Sequence, residues 1–104
     1  MRYQIWYMRP EFFSKGITGT AQPNAANLIA THVHLKDIET DGIPAAYQAM
    51  QGEVWSPNGE ARELIQSKGL RHTSMSVGDV IIDDVGNAHV VSTVGFKAIG
   101  GFKQ

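Results

Sequence analysis

VIIDDVGNAHVV, at residues 80–91, carries the clearest signal of fold class in this 104-residue chain. Two runs rich in β-branched residues flank a turn-forming segment at 83–87, an arrangement that predicts a β-hairpin. We expect Gly86 or Asn87 to take the positive φ that a tight turn needs. The second arm of this hairpin is expected to run on as far as Phe96.

Two further strands are predicted near the amino terminus. Residues 2–8 (RYQIWYM) are rich in aromatic and β-branched side chains, and Pro10 ends the run. Residues 28–38 form the second predicted strand, since apolar and polar positions alternate in the manner of a half-buried strand. The alternation places His32 and His34 together on the solvent-facing side.

Two short helices are predicted between the second strand and the hairpin. The first has an N-cap at Asp41 and ends near Gly52, on apolar residues that recur at spacings of three, four and seven. The second starts within 56–60 and ends before Gly69. The order β, β, α, α, β, β predicts a single α+β domain over residues 1–104. It would have an antiparallel sheet of about four strands with two short helices on one face.

Composition excludes several classes of protein. A hydrophobic content of 42% with 18% charged residues is typical of a folded chain rather than a disordered one. Nine basic against ten acidic side chains give a net charge of −1, which argues against a general polyanion binder. Cysteine is absent, so disulfides, Fe–S clusters, Cys-type zinc sites and thiol catalysis are excluded. With no long apolar run, we expect a cytoplasmic protein without membrane contact.

His32 and His34 form the sharpest candidate for a chemical site. Alternate side chains of a strand face the same way, so the two imidazoles could chelate zinc, nickel or copper. A third ligand would come from His72, His89 or Asp37. This would make a metal-dependent enzyme the third functional interpretation. A polar pair on the solvent side of a strand explains the same spacing, so the prediction is that no metal binds.

Other catalytic and cofactor chemistry finds little support. His72 lies beside the hydroxyls of 73–76, with Asp79 close by, but the chain has no Gly-x-Ser-x-Gly and no His-Glu-x-x-His. Hydroxyls before a Gly-Asp turn are more typical of backbone caps, so we expect Asp79 to bond to backbone amides and Gly78 to permit the turn. Both phosphate-binding glycine motifs are absent as well. The sequence therefore indicates a non-enzymatic protein without a cofactor.

Basic and aromatic side chains alternate over residues 2–15, which suggests an alternative function. Such a surface could stack bases and contact phosphates, as in a small nucleic-acid-binding regulator. Aromatic residues at strand spacing are more often buried in a core. Nucleic acid is therefore the second choice of partner.

HTSMSVGDVI at residues 72–81, followed after a turn by Val-Val at 90–91 and Gly-Phe at 95–96, resembles the signature of YodL-like small domains. Residues 3–8 and 50–59 are similar to such proteins as well. These small proteins are common on plasmids, phages and integrative elements. The resemblance implies an accessory protein that binds a host protein, including host defence machinery, and it implies no catalytic residue.

The leading interpretation is a non-enzymatic accessory protein of a mobile genetic element that binds a macromolecular partner, a host or element-encoded protein. Inhibition of a host defence nuclease, of the anti-restriction or anti-CRISPR type, is one role that the resemblance implies. We expect contact through polar side chains opposite the buried stripe of the second helix, together with the loops on either side. This loop–helix–loop surface consists of Trp55, Asn58, Glu60, Arg62, Lys68, Arg71 and His72. An edge strand in so small a sheet can pair with another copy, so a homodimer is a further expectation.

Overall fold

Five antiparallel strands form one sheet in the part of the chain that the computed structural model describes, residues 1–12 and 25–101 with the side chains of 25–27 excepted. The strands are β1 (Arg2–Met8), β2 (His32–Glu39), β3 (Val80–Ile82), β4 (Asn87–Ser92) and β5 (Gly95–Gly101). Their order across the sheet is β2-β1-β3-β4-β5. The predicted α+β class and antiparallel sheet are confirmed, with five strands where about four were expected.

The additional strand arises where the hairpin arm was expected to continue. The hairpin itself is confirmed, and Gly86 has a φ of 88° in its turn. The second arm ends at Ser92 instead of running on to Phe96, and the chain then reverses. The Ser92 hydroxyl donates to the Gly95 carbonyl at 3.0 Å and accepts from the Val94 amide at 3.4 Å, which closes a second turn. Phe96 therefore lies in β5, which pairs with β4.

The second strand begins later than predicted. Residues 28–30 belong to a 3-10 helix, Ala25–Ala30, and β2 starts only at His32. The Thr31 amide donates to the Leu28 carbonyl at 3.1 Å, which ends the helical turn. The turn places Leu28, 1% exposed, against the sheet. Burial of this side chain accounts for the departure from the strand pattern, because packing outweighs local propensity.

Three short helices lie between β2 and β3, where two were predicted. They are α1 (Ile43–Ala49), α2 (Gly52–Trp55) and α3 (Arg62–Ser67). The expected N-cap at Asp41 is wrong, since α1 is preceded by Gly42 at a φ of 118° and no side chain caps its amides. Over the described residues, no helix is long and apolar enough to cross a membrane.

The centre of the sheet is covered on both faces, where apolar side chains of β1 and β3 enter two separate cores. The helix-side core contains Tyr3, Ile5, Tyr7, Leu35, Ile81 and Val91, packed by Ala46, Met50, Ile65, Leu70 and Met75. The second core contains Trp6, Leu28, Val80, Ile82, Ala88 and Val90. Burial of each large apolar side chain contributes about 1.5–3 kcal/mol. Trp6 and Met75 are thus core residues.

Each edge strand carries features that hinder pairing with another chain. In β2 the register shifts opposite Ile5 and Trp6, which leaves Leu35 as an extra residue. In β5 the shift opposite Ala88 and His89 leaves Ile99 as the extra residue. Such β-bulges bend a strand and interrupt the row of hydrogen-bonding groups that a partner strand would need.

Candidate functional site

A buried carboxylate, that of Asp79, organises the region just before β3. Its Oδ1 accepts the Met8 amide of β1 at 2.8 Å. Its Oδ2 accepts the Ser76 amide at 2.9 Å and the Nε2–H of His72 at 2.8 Å. A carboxylate with 0% exposure is stable only because its oxygens accept such bonds. The prediction that Asp79 bonds to backbone amides is confirmed.

His72 is held between Asp79 and the ring of Tyr7. The His72 and Tyr7 rings stack with centroids 4.4 Å apart and planes inclined by 14°. The Tyr7 hydroxyl donates to the Thr73 carbonyl at 2.6 Å. Burial, and then the charge of Asp79, raise the pKa of Tyr7 above its usual range, so the hydroxyl keeps its proton. Nε2 of His72 faces Asp79 and Nδ1 is shielded from solvent, so the ring is positioned as a structural group.

His32 and His34 share one side of β2, as predicted, but only His34 faces solvent. His32 is 1% exposed, so its expected exposure is wrong. Its Nε2 donates to the Gly78 carbonyl at 2.6 Å, and its Nδ1 accepts from the Thr31 hydroxyl at 2.7 Å. Burial lowers the pKa of His32, although the bond to Gly78 and the charge of Asp79 act in the opposite direction. The turns that carry Leu28 and Gly78 cover this part of the strand, which alternation alone could not indicate.

The side chains proposed as metal ligands are distributed over separate pairs. His34 is 43% exposed, stacks on Trp6, and places Nε2 2.7 Å from Oδ1 of Asp37. In the hairpin, Nε2 of His89 lies 3.2 Å from Oδ2 of Asp83. Over residues 1–12 and 25–101, no group of three His, Asp or Glu side chains is arranged to hold a metal ion.

Part of the loop–helix–loop surface surrounds a groove of about 500 Å³. Arg62 of α3 and Arg71 of the following loop both line it, so the structure brings these two predicted residues together. Ile65 and Leu70, which are buried, line it from the core side. We call this feature the arginine groove.

The other predicted surface residues have different surroundings. Trp55 is half-buried, and its indole N–H donates to the Thr73 carbonyl at 3.1 Å. The Lys36 ammonium lies 5.0 Å above the Trp55 ring centroid, a cation–π contact. Trp55, the last residue of α2, therefore packs against the loop that contains Thr73.

Asn58, Glu60 and Lys68 are exposed, whereas His72 points inward to Asp79. The Glu60 carboxylate accepts the Asn58 amide at 3.0 Å. Backbone amides of Glu60 itself and of Asn58 hold the pKa of the Glu60 carboxyl below its usual range. Glu60 thus fixes the turn that precedes α3.

Neither arginine of the groove forms an ion pair within the described part of the chain. The ion pairs of the described residues have as cations the amino terminus, Arg2 and three histidines. None of them includes Arg62, Lys68 or Arg71. Among residues 1–12 and 25–101, no acidic side chain lines the groove. Arg71 also borders a neighbouring depression of about 300 Å³, beside Glu11. The surface therefore offers cationic side chains to a ligand.

Sequence reasoning predicted the bonds of Asp79 to backbone amides but missed the wider network of buried side chains around that carboxylate. Its signal was present, because His72 and Asp79 fall in one short segment just before a predicted strand. Nothing local indicated that Tyr7 and His32, from the first two strands, would close around that segment.

Comparisons of the chain with protein-family models, with curated proteins and with solved structures find no match.

Proposed function

We propose that this chain is a non-enzymatic protein that binds a macromolecular partner, a host or element-encoded protein, through its loop–helix–loop surface. The observation that supports this proposal is the arginine groove. Arg62 and Arg71 line one depression of about 500 Å³ and form no ion pair with the described residues. Arginine beside apolar side chains is a composition typical of interface hot spots.

The hydrogen bonds and burial of the candidate catalytic side chains support a non-enzymatic role. An acid–base catalyst must reach a proton of the substrate. Nδ1 of His72 is shielded from solvent and Nε2 is bonded to Asp79, while the ring nitrogens of His32 are bonded to Gly78 and Thr31. The Ser74 hydroxyl oxygen accepts the Gly52 amide at 2.7 Å. These groups stabilise the loop before β3.

The alternative, a nucleic-acid-binding regulator, draws less support from the first strand. Its aromatic side chains Tyr3, Trp6 and Tyr7 are all buried in the two cores. Base stacking needs exposed ring faces, so β1 offers none of these three rings to a nucleic acid.

The resemblance of residues 72–81 to YodL-like domains supplies a biological setting for the proposal. The partner would then be a protein of the host, and binding would block it, as in inhibition of a defence nuclease by an accessory protein of a mobile element. A blocking protein needs a stable surface and no reaction chamber. The two cores and the arginine groove meet that requirement.

Charge reversal in the arginine groove tests the proposal. The tagged chain and its Arg62→Glu/Arg71→Glu variant are used to capture partners from a host lysate. Reversal of two exposed contacts is expected to weaken capture by about tenfold or more, because each charge pair contributes on the order of 1 kcal/mol.

Lys97→Glu serves as the matched control, since Lys97 is exposed on β5, away from the groove. Both variants are expected to keep the wild-type urea midpoint, because neither removes a buried contact. Capture that is equally strong with the double variant and with Lys97→Glu would contradict the proposal.

A further inference from the structure

The arginine groove combines cationic walls with an apolar floor. Arg62 and Arg71 carry the positive charges. Ile65 and Leu70 are the apolar side chains of the lining, and both are buried against the core. A guanidinium binds a carboxylate or a phosphate oxygen pair through two parallel N–H bonds. An anionic group with an aliphatic stem would therefore fit both the walls and the floor of the groove.

A further donor is present beside the arginines. Ser56 lines the groove, and its hydroxyl oxygen accepts the Ala61 amide at 2.8 Å. Accepting this bond leaves the hydroxyl proton of Ser56 available to a ligand. The groove thus offers N–H and O–H donors to an anion.

Nearby carboxylates discriminate between two kinds of anionic partner. Glu53, Glu60 and Glu63 are exposed, and each directly follows a groove-lining residue in the chain. A nucleic acid carries closely spaced phosphates along its whole length, so it would place some of them against these carboxylates. The side chains of a flexible peptide rotate independently, so a peptide can direct two carboxylates to the arginines and turn the others to solvent.

We infer that the arginine groove binds an acidic peptide segment of a partner protein, with aspartate or glutamate carboxylates paired to Arg62 and Arg71. This inference rests on the proposed function and specifies the chemistry of the partner. The methylene groups of a glutamate would pack on Leu70 and Ile65.

A binding assay with defined probes tests this inference. Fluorescence anisotropy of labelled hexaglutamate is measured with the full chain, and labelled hexaglutamine is the uncharged isostere. We expect hexaglutamate alone to bind, with affinity about tenfold weaker in Arg62→Glu/Arg71→Glu and changed by less than about twofold in Lys97→Glu. Arg62→Lys/Arg71→Lys is expected to bind at an intermediate level, because lysine keeps the charge without the two-pronged geometry.

Three results would overturn the inference: equal binding of the two peptides, equal loss in Lys97→Glu, or tighter Arg-dependent binding of a short DNA duplex than of hexaglutamate. The last result would assign the groove to nucleic acid. Partner capture that depends on Arg62 and Arg71 without hexaglutamate binding would refute the carboxylate chemistry alone. Capture that does not depend on them would refute the proposed function.

Discussion

Replacement of Asp79 by alanine perturbs the buried network at its centre. The change removes two oxygens that accept three N–H groups, from Met8, Ser76 and His72. A hydrogen bond to a charged group contributes about 1.5–3 kcal/mol, and a buried donor left without an acceptor is costly. The three contributions do not add fully, because they share one carboxylate, and Ser76 and His72 lie close enough to the surface to recruit water.

We therefore expect Asp79→Ala to lower the free energy of unfolding by about 3–5 kcal/mol. This is a large part of the roughly 5–15 kcal/mol that stabilises a typical domain. Urea denaturation followed by tryptophan fluorescence measures the effect, since Trp6 is buried in the second core.

Asp84→Ala is the matched control, because Asp84 is exposed in the hairpin turn. Its cost is expected to stay below about 0.5 kcal/mol. If the two variants unfolded at the same urea concentration, the Asp79 carboxylate would not stabilise this region and the argument from its buried bonds would be wrong.

Two further predictions concern stability. Burial lowers the pKa of His32 in the folded chain below the ordinary value of 6.5, so the unfolded chain binds that proton more readily and stability should fall as the pH drops below about 6.5. The urea midpoint is measured from about pH 7 to about pH 5, and it should fall less steeply with pH in His32→Gln than in the wild type. Parallel plots of midpoint against pH would contradict the assignment of this loss to His32. Gly78→Ala should lower the melting temperature more than Gly86→Ala, although both glycines have positive φ. A Cβ at Gly78 would lie 2.7 Å from Cε of Met8, whereas no atom of the described residues would lie within 4 Å of a Cβ at Gly86. We expect about 1 kcal/mol from backbone strain in each variant and about 1 kcal/mol more from the contact with Met8, and equal melting temperatures would exclude the steric contribution.

Candidate site residues could be found from sequence to the extent that they share a local segment. Arg62 and Arg71 could be assigned to one surface from sequence because they are nine positions apart, in α3 and in the loop that follows it. His72 belongs to the same segment, yet its orientation toward Asp79 depends on the packing of Tyr7 from β1. The depth of the arginine groove depends likewise on Leu70 and Ile65 being buried against the sheet.

Local pattern was sufficient for the hairpin turn at Gly86, for β1, and for the α+β class, because these follow from side chains a few positions apart. Long-range packing was needed for the late start of β2 and the burial of His32. The reversal into β5 rests on local bonds of Ser92 to Val94 and Gly95, which the sequence reasoning overlooked. The bond between the Met8 amide and Asp79 joins residues 71 positions apart. Such contacts form only when the whole sheet has assembled, because the side chains that are buried together come from distant segments. A short stretch of sequence therefore does not include both partners of the contact.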